Sequence, residues 1–245
     1  MTTPLYIGCA GWSLPREHWP AFSEEGTHLQ RYASRFNAVE INSSFYRPHL
    51  PKTYARWGQC VPPGFRFSVK VPKRITHELR LQQCETALDE FLEQCQPLRE
   101  RLGCLLVQLP PSLRYEPVSA RVFFSALRQR FVGHVVLEPR HASWLAAQSM
   151  LQDLHIGRVA ADPPVIDAAP TCAGWQGVRY WRLHGSPRIY HSAYGPDRVQ
   201  AFARRLGQSA AEGIPTWCIF DNTASGHAVA DALYLLDLNP QHFQA

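Results

Sequence analysis

The side chains able to do chemistry in this chain gather where apolar, β-rich runs end. Those ends carry Glu40 and Asn42, Lys70, Gln108, Glu138 and Arg140, Asp162, Arg182 and His184, and Asp221 with Asn222. Three carboxylates (Glu40, Glu138, Asp162) face three cations (Lys70, Arg140, Arg182), and a balanced set can be buried because each charge has a partner. Arg47, Lys73, Arg74, His77, His141 and His184 add positive character around them. A balanced floor beneath a basic rim suits a substrate carrying phosphate or carboxylate.

Lys70, Arg140 and Arg182 would clamp the anion, Glu40 or Glu138 would act as acid or base, and His184 would carry a proton. The catalytic candidates are therefore Glu40, Lys70, Glu138 and His184. Asn42, Tyr46, His77, Gln108, Arg140, His141, Trp144, Asp162, Arg182, Tyr194 and Asn222 are the candidates for substrate contact. The same charges would also serve as a structural ion-pair layer, a reading that stays open at this point. A Schiff base on Lys70 requires a lowered pKa, which neighbouring carboxylates oppose.

Two other chemistries compete. Glu40, Glu138, Asp162 and His184 are acceptable metal ligands, as in a phosphodiester hydrolase of the barrel-endonuclease kind. No His-x-His or His-Glu-x-x-His spacing supports this, and three nearby cations oppose a metal, so no metal and no cofactor is expected. A non-catalytic nucleic-acid binder is the third reading. Trp12, Trp19, Tyr46, Trp144, Tyr190 and Tyr194 fall in expected rim loops, where aromatics beside arginine can stack on bases.

The elements that must position these residues follow from periodicity. Eight runs read as strands: Tyr6–Gly8, Ala38–Asn42, Phe65–Val71, Cys104–Leu109, Val135–Glu138, Gly157–Asp162, Val178–His184 and Thr216–Phe220. Several are continuously apolar, as strands covered on both faces should be. Helical stripes lie between most of them. They begin with Leu29, Tyr32, Ala33 and Phe36 behind Thr27, and end with Val229, Ala232, Leu233 and Leu236. Pro97 divides the stripe that ends at Cys95, and Ser143 is expected to cap the one starting at Trp144. Pro163–Gly177 has no helical period.

The pattern predicts one α/β domain over residues 1–245, a TIM-barrel-like (β/α)8 fold with an irregular crossover between strands 6 and 7. An open doubly wound sheet is the alternative, but no Gly-x-Gly-x-x-Gly follows a strand. In such barrels the site lies at the carboxyl ends of the strands. Alternation places Glu40 with Asn42, Ser68 with Lys70, and Tyr180 with Arg182 and His184 on lumenal faces.

Composition narrows the classes. Of the residues, 45% are hydrophobic and 18% charged, which excludes a disordered chain. The net charge of +5 permits an anionic small molecule or nucleic acid without demanding either. No run is long enough for a membrane span, and Met1-Thr2-Thr3-Pro4-Leu5 does not read as a secretion signal. Seven cysteines with no Cys-x-x-Cys suit reduced core thiols in a cytoplasmic protein. Nothing bears on oligomeric state.

At several motifs the chain resembles the YecE-like family, the domain of unknown function numbered 72. The matching pieces are Gly8-Cys9-Ala10-Gly11-Trp12, Val39-Glu40-Ile41-Asn42-Ser43-Ser44-Phe45-Tyr46, Phe67-Ser68-Val69-Lys70 and Ile75-Thr76-His77. Gln108-Leu109-Pro110-Pro111, Glu138-Pro139-Arg140-His141 with Ser143-Trp144, Arg182-Leu183-His184-Gly185 and Phe220-Asp221-Asn222 follow in order. The resemblance implies a TIM-barrel-like fold and hands over no reaction. Pro139 and Asp221 depart from it, standing where the family usually carries an aromatic or similar residue and Asn.

Overall fold

All eight apolar runs become strands, and helices cover them. The computed structural model describes residues 5–166 and 170–238. The opening Met1–Pro4 and residues 167–169 of the expected irregular crossover lie outside that description. In chain order the elements are β1 (Leu5–Cys9), α1 (His28–Ala33), β2 (Ala38–Ile41), α2 (Pro51–Gln59), β3 (Arg66–Lys70) and α3 (Glu85–Cys95). Then come β4 (Leu102–Gln108), α4 (Pro117–Arg130), β5 (His134–Glu138), α5 (Gln148–Asp153), β6 (Ile156–Arg158) and β7 (Ala160–Asp162). The short β8 (Ala173–Gly174), β9 (Arg179–Leu183), α6 (Pro196–Ala211), β10 (Thr216–Phe220) and α7 (His227–Leu238) complete the set.

Thr27 caps α1 as its sequence suggests, its hydroxyl accepting from the Gln30 N–H while Gln30 accepts from the Thr27 N–H at 2.8 Å. Pro97 lies just past the end of α3, in a 3-10 turn over Gln96–Arg101. One expectation needs correcting. Ser143 does not cap α5; it sits inside a 3-10 turn, Ala142–Ala147, whose cap is the His141 ring. Helix α2 starts at Pro51 and buries Tyr54 and Gly58, one turn apart.

The strands form two mostly parallel sheets, in the orders β1-β10-β9-β7 and β2-β3-β4-β5-β6-β8. The arrangement is TIM-barrel-like, but the backbone ladder does not run round a closed ring. At one seam, between β1 and β2, a single backbone bond from Gly11 N–H to the Glu40 carbonyl (2.9 Å) remains, and side chains supply the others. Asn37 accepts from Ile7 N–H (2.9 Å) and donates to the Leu5 carbonyl (2.8 Å). The Tyr32 hydroxyl accepts from Cys9 N–H (2.7 Å) and donates to the Ala38 carbonyl (2.9 Å). A Cβ on Gly8 would meet the Ala38 oxygen at 1.9 Å, so this approach requires glycine. The other seam divides the sixth strand: β6 pairs with β5, while β7 pairs with β9.

Two apolar clusters follow from alternation. The larger one packs strands against helices and holds Val39, Ile41, Phe67, Val69 and Leu183. The smaller fills the lower lumen with Ala38, Cys104, Leu106, Val136, Val159, Tyr180, Trp217 and Ile219. Tyr180 and Trp217 stack there with centroids 5.8 Å apart. Polar side chains on the same lumenal faces continue above this plug, which is how the fold brings the charged strand ends together. All seven cysteines are free, and no helix among the described residues is long and apolar enough to cross a membrane.

Candidate functional site at the carboxyl mouth

Arg182 stands at the centre of the polar layer and is fully buried. Its Nε and Nη2 donate to the two oxygens of Glu40 at 3.0 and 2.6 Å, and its Nη1 donates to Glu138 at 2.7 Å. Asp221 approaches Nη2 at 3.0 Å. The Tyr180 hydroxyl also donates to Glu40 (2.9 Å), with Ser68 2.8 Å from that hydroxyl. His184 lies above, with Nδ1 3.0 Å from Asp221 and Nε2 3.1 Å from Glu138. Arg140 closes the top by pairing with Glu138, its Nη2 3.2 Å from the His184 Nε2.

This geometry sorts the expected roles. Glu40 is fully buried, and both its oxygens accept from Arg182. Burial pushes the Glu138 carboxyl up, yet Arg182, Arg140 and His184 outweigh that and hold it well below the usual carboxylate range. Asp221 is likewise lowered: burial raises it, while Arg182 and His184 prevail. Arg182, expected to clamp a ligand, is instead surrounded by three carboxylates and serves as the keystone of the layer.

Because both folded-state values are depressed, their contribution to stability is present above the ordinary carboxylate range. It is lost as pH falls through the lowered values. Urea unfolding midpoints are therefore expected to hold between pH 7 and 5 and to fall steeply below about pH 4. A midpoint unchanged from pH 5 to pH 3 would contradict this account of the layer.

Lys70 is only 5% exposed and differs from its neighbours. No carboxylate and no hydrogen-bond acceptor lies within reach of its Nζ among the described residues. Phe45 faces that nitrogen, with the ring centroid 4.1 Å away. Burial and then Arg182 pull the ammonium down to about 8, against Glu40, Glu138 and Asp221, which favour its charge from a distance. The neighbouring acids favour the charge as expected, but they are turned onto Arg182, and burial with the Arg182 charge outweighs them. The Ser44 hydroxyl, 2.7 Å from the Lys70 carbonyl, fixes the end of β3. His77 stands edge-on to Phe45 at 4.9 Å.

Other expected site residues divide. Asn42 and Gln108 are lumenal; the Asn42 Oδ1 is buried with no partner, as is the Arg140 Nε, and Gln108 lies beside Glu138 in register. Tyr46 is 69% exposed and packs on Phe45 at the rim. Asp162 does not join the layer. Register sets it beside Leu183, with Ala161 beside Arg182, so it faces the helices, where Arg198 donates to it at 2.7 Å.

Trp144 is a core residue, 1% exposed, donating to the Leu113 carbonyl. Tyr194 is buried too, its hydroxyl accepting from Gly185 N–H and touching Asp162. His141 accepts from Ser143 N–H and caps a turn. Asn222 donates to Asp231 (2.7 Å) and to the Ser192 carbonyl (3.0 Å), tying α7 to a loop. Asp221, Tyr180 and Tyr190, noted in the sequence without a site role, join the layer or its edge, Tyr190 edge-on to His184 at 5.6 Å; the sequence does not single out Phe45.

The metal-ligand set is not assembled: Asp162 is elsewhere, and Glu40 and Glu138 are held by Arg182. Among the described residues no group of three or more His, Cys, Asp or Glu side chains is disposed to hold a metal ion.

Comparison with known proteins adds family without chemistry. The family described as "Protein of unknown function DUF72" matches residues 6–245. The UPF0759 protein YecE of Escherichia coli (strain K12) is 32% identical over 173 residues, covering 67% of this chain and 61% of the relative. The chain thus spans about three-fifths (61%) of the length of that relative. The UPF0759 protein YunF of Bacillus subtilis (strain 168) is 22% identical, covering 96% of this chain and 94% of YunF. A crystal structure of a DUF72 family protein from Thermotoga maritima MSB8 aligns with a TM-score of 0.78 at 23% identity, covering 96% of this chain and 98% of that one. One from Enterococcus faecalis V583 aligns at 0.78 and 20%, covering 96% and 94%. At these identities the likeness is one of fold.

Proposed function

Since the chain belongs to the DUF72 family, whose description assigns no reaction, we propose from its own residues that it is an enzyme. Its ligand is a small molecule carrying phosphate or carboxylate, bound at the carboxyl mouth of the barrel-like fold. One contrast carries this reading. Every carboxylate in the layer is engaged by Arg182, Arg140 or His184, whereas the Arg140 Nε is buried with no acceptor among the described residues and the Lys70 Nζ meets the Phe45 ring in place of a carboxylate. A buried donor is rarely left so, and an anion at the mouth would satisfy Arg140 and be attracted by Lys70.

Arg140 and Lys70 bind, and they replace the expected clamp that included Arg182. His184, between Asp221 at Nδ1 and Glu138 and Arg140 at Nε2, positions the groups around Arg140 rather than carrying the proton first expected of it. Glu138 fixes Arg140 and His184 in place and does not exchange protons itself.

Phosphate, sulfate or a phosphorylated metabolite should raise the melting temperature through binding to the folded state, by an amount equivalent to about 2.7 kcal/mol at a hundred times the Kd. Arg140→Gln should lose that rise while staying folded. If none of these anions shifts the wild-type melting temperature, the reading fails.

A further inference from the structure

The chain contains 22 arginines and only three lysines, Lys52, Lys70 and Lys73. Lys52 is exposed, and Lys73 lies near the surface, paired with Glu78 at 3.4 Å. The one buried lysine stands at the mouth, where the other two cations are arginines. Arginine does not give up its proton in proteins, whereas a buried lysine can expose a nucleophilic lone pair. Three separate stretches build its surroundings: Ser44 and Phe45 after β2, the end of β3 itself, and His77 on the following turn. None supplies a carboxylate to hold the ammonium.

We propose that Lys70 is a nucleophile that condenses with the carbonyl carbon of a small aldehyde or ketone, whose phosphate or carboxylate group is held by Arg140. The proposal rests on the anion-binding reading above and names its substrate class. The neutral amine attacks the carbonyl carbon, forming a C–N bond and a carbinolamine. The C–O bond then breaks, and the oxygen leaves as water with the two protons that the nitrogen carried, which gives an imine. No oxidant or reductant is needed. The apolar face of Phe45 and the burial of the Lys70 side chain favour the neutral amine, in line with an ammonium lowered to about 8. At pH 7 that shift gives roughly three hundredfold more free amine than an ordinary lysine.

Three lysines make the test clean. The wild-type protein is treated with sodium cyanoborohydride and, in separate reactions, glyoxylate, pyruvate, glycolaldehyde phosphate and uncharged glycolaldehyde, then mapped by mass spectrometry. Lys70 should carry the reduced adduct at least about tenfold faster than Lys52 or Lys73, and faster with the anionic probes than with glycolaldehyde. Lys70→Arg should lose the adduct, whereas Arg140→Gln should keep a Lys70 adduct with glycolaldehyde and lose the preference for the anionic probes. Phosphate binding with Lys70 modified no faster than Lys52 would overturn the imine and leave the anion site standing. A Lys70 adduct that forms as fast with glycolaldehyde, in a protein that phosphate does not stabilise, would support the amine chemistry and overturn the anion reading.

Discussion

Arg182→Ala is expected to cost roughly 3–5 kcal/mol of folding stability, because it strands charges that its guanidinium now pairs. Glu40, Glu138 and Asp221 would be left around an empty volume above Tyr180 and Trp217, with no water-accessible face to relieve them. For a domain of ordinary stability that is a large part of the total, so a share of the variant should be unfolded at 37 °C. Arg182→Lys should recover little, since one ammonium cannot serve both Glu40 oxygens and Glu138 together. Urea titration followed by circular dichroism measures the loss. Near-wild-type stability for Arg182→Ala would mean that the carboxylates are not held as described.

Lys70→Met should act in the opposite direction. An ammonium lowered from 10.5 to about 8 is disfavoured by the fold, which corresponds to a penalty of about 3 kcal/mol at neutral pH. Its attraction to the Phe45 ring, roughly 1 kcal/mol, is already part of the balance and is lost on substitution. Net stabilisation of roughly 1–2 kcal/mol at pH 7 is expected, together with a weakened response to phosphate. The sign follows from proton binding. Between pH 8 and 10.5 the unfolded chain holds a proton that the folded one has released, so wild-type stability should climb through that window. Lys70→Met should lack that climb. A substitution that stabilises the fold while removing ligand response marks a residue kept for function. Destabilisation by Lys70→Met at pH 7 would place the lysine in the structural layer.

Much of this arrangement was legible in the residues themselves. On β2, β3 and β9 the charged and apolar positions alternate, so the lumenal faces of Glu40, Lys70, Arg182 and His184 could be assigned by counting. The sixth strand gave no such phase. Val159, Ala160 and Ala161 are all small or apolar, and Asp162 was placed on the wrong face. The charge balance around Arg182 still holds, with Asp221 in the position expected of Asp162. Asp221 carries the needed signal in the sequence, two positions beyond lumenal Ile219 and so on the same face.

Trp144 and Tyr194 misled for another reason. Each has one polar atom, and a single backbone partner suffices to bury it. A loop position in sequence does not disclose that partner. The lowered Lys70 was also illegible, because it depends on which cation the carboxylates choose, and only the fold makes Arg182 that choice.

Soaking crystals in tungstate tests the central claim most directly, since its anomalous signal locates an oxyanion without ambiguity. The account predicts a peak at the carboxyl mouth within hydrogen-bonding distance of Arg140, on the side facing the Lys70 Nζ, with Arg182 still enclosed by Glu40, Glu138 and Asp221. Peaks confined to surface arginines such as Arg188 and Arg204, with none at the mouth, would contradict it.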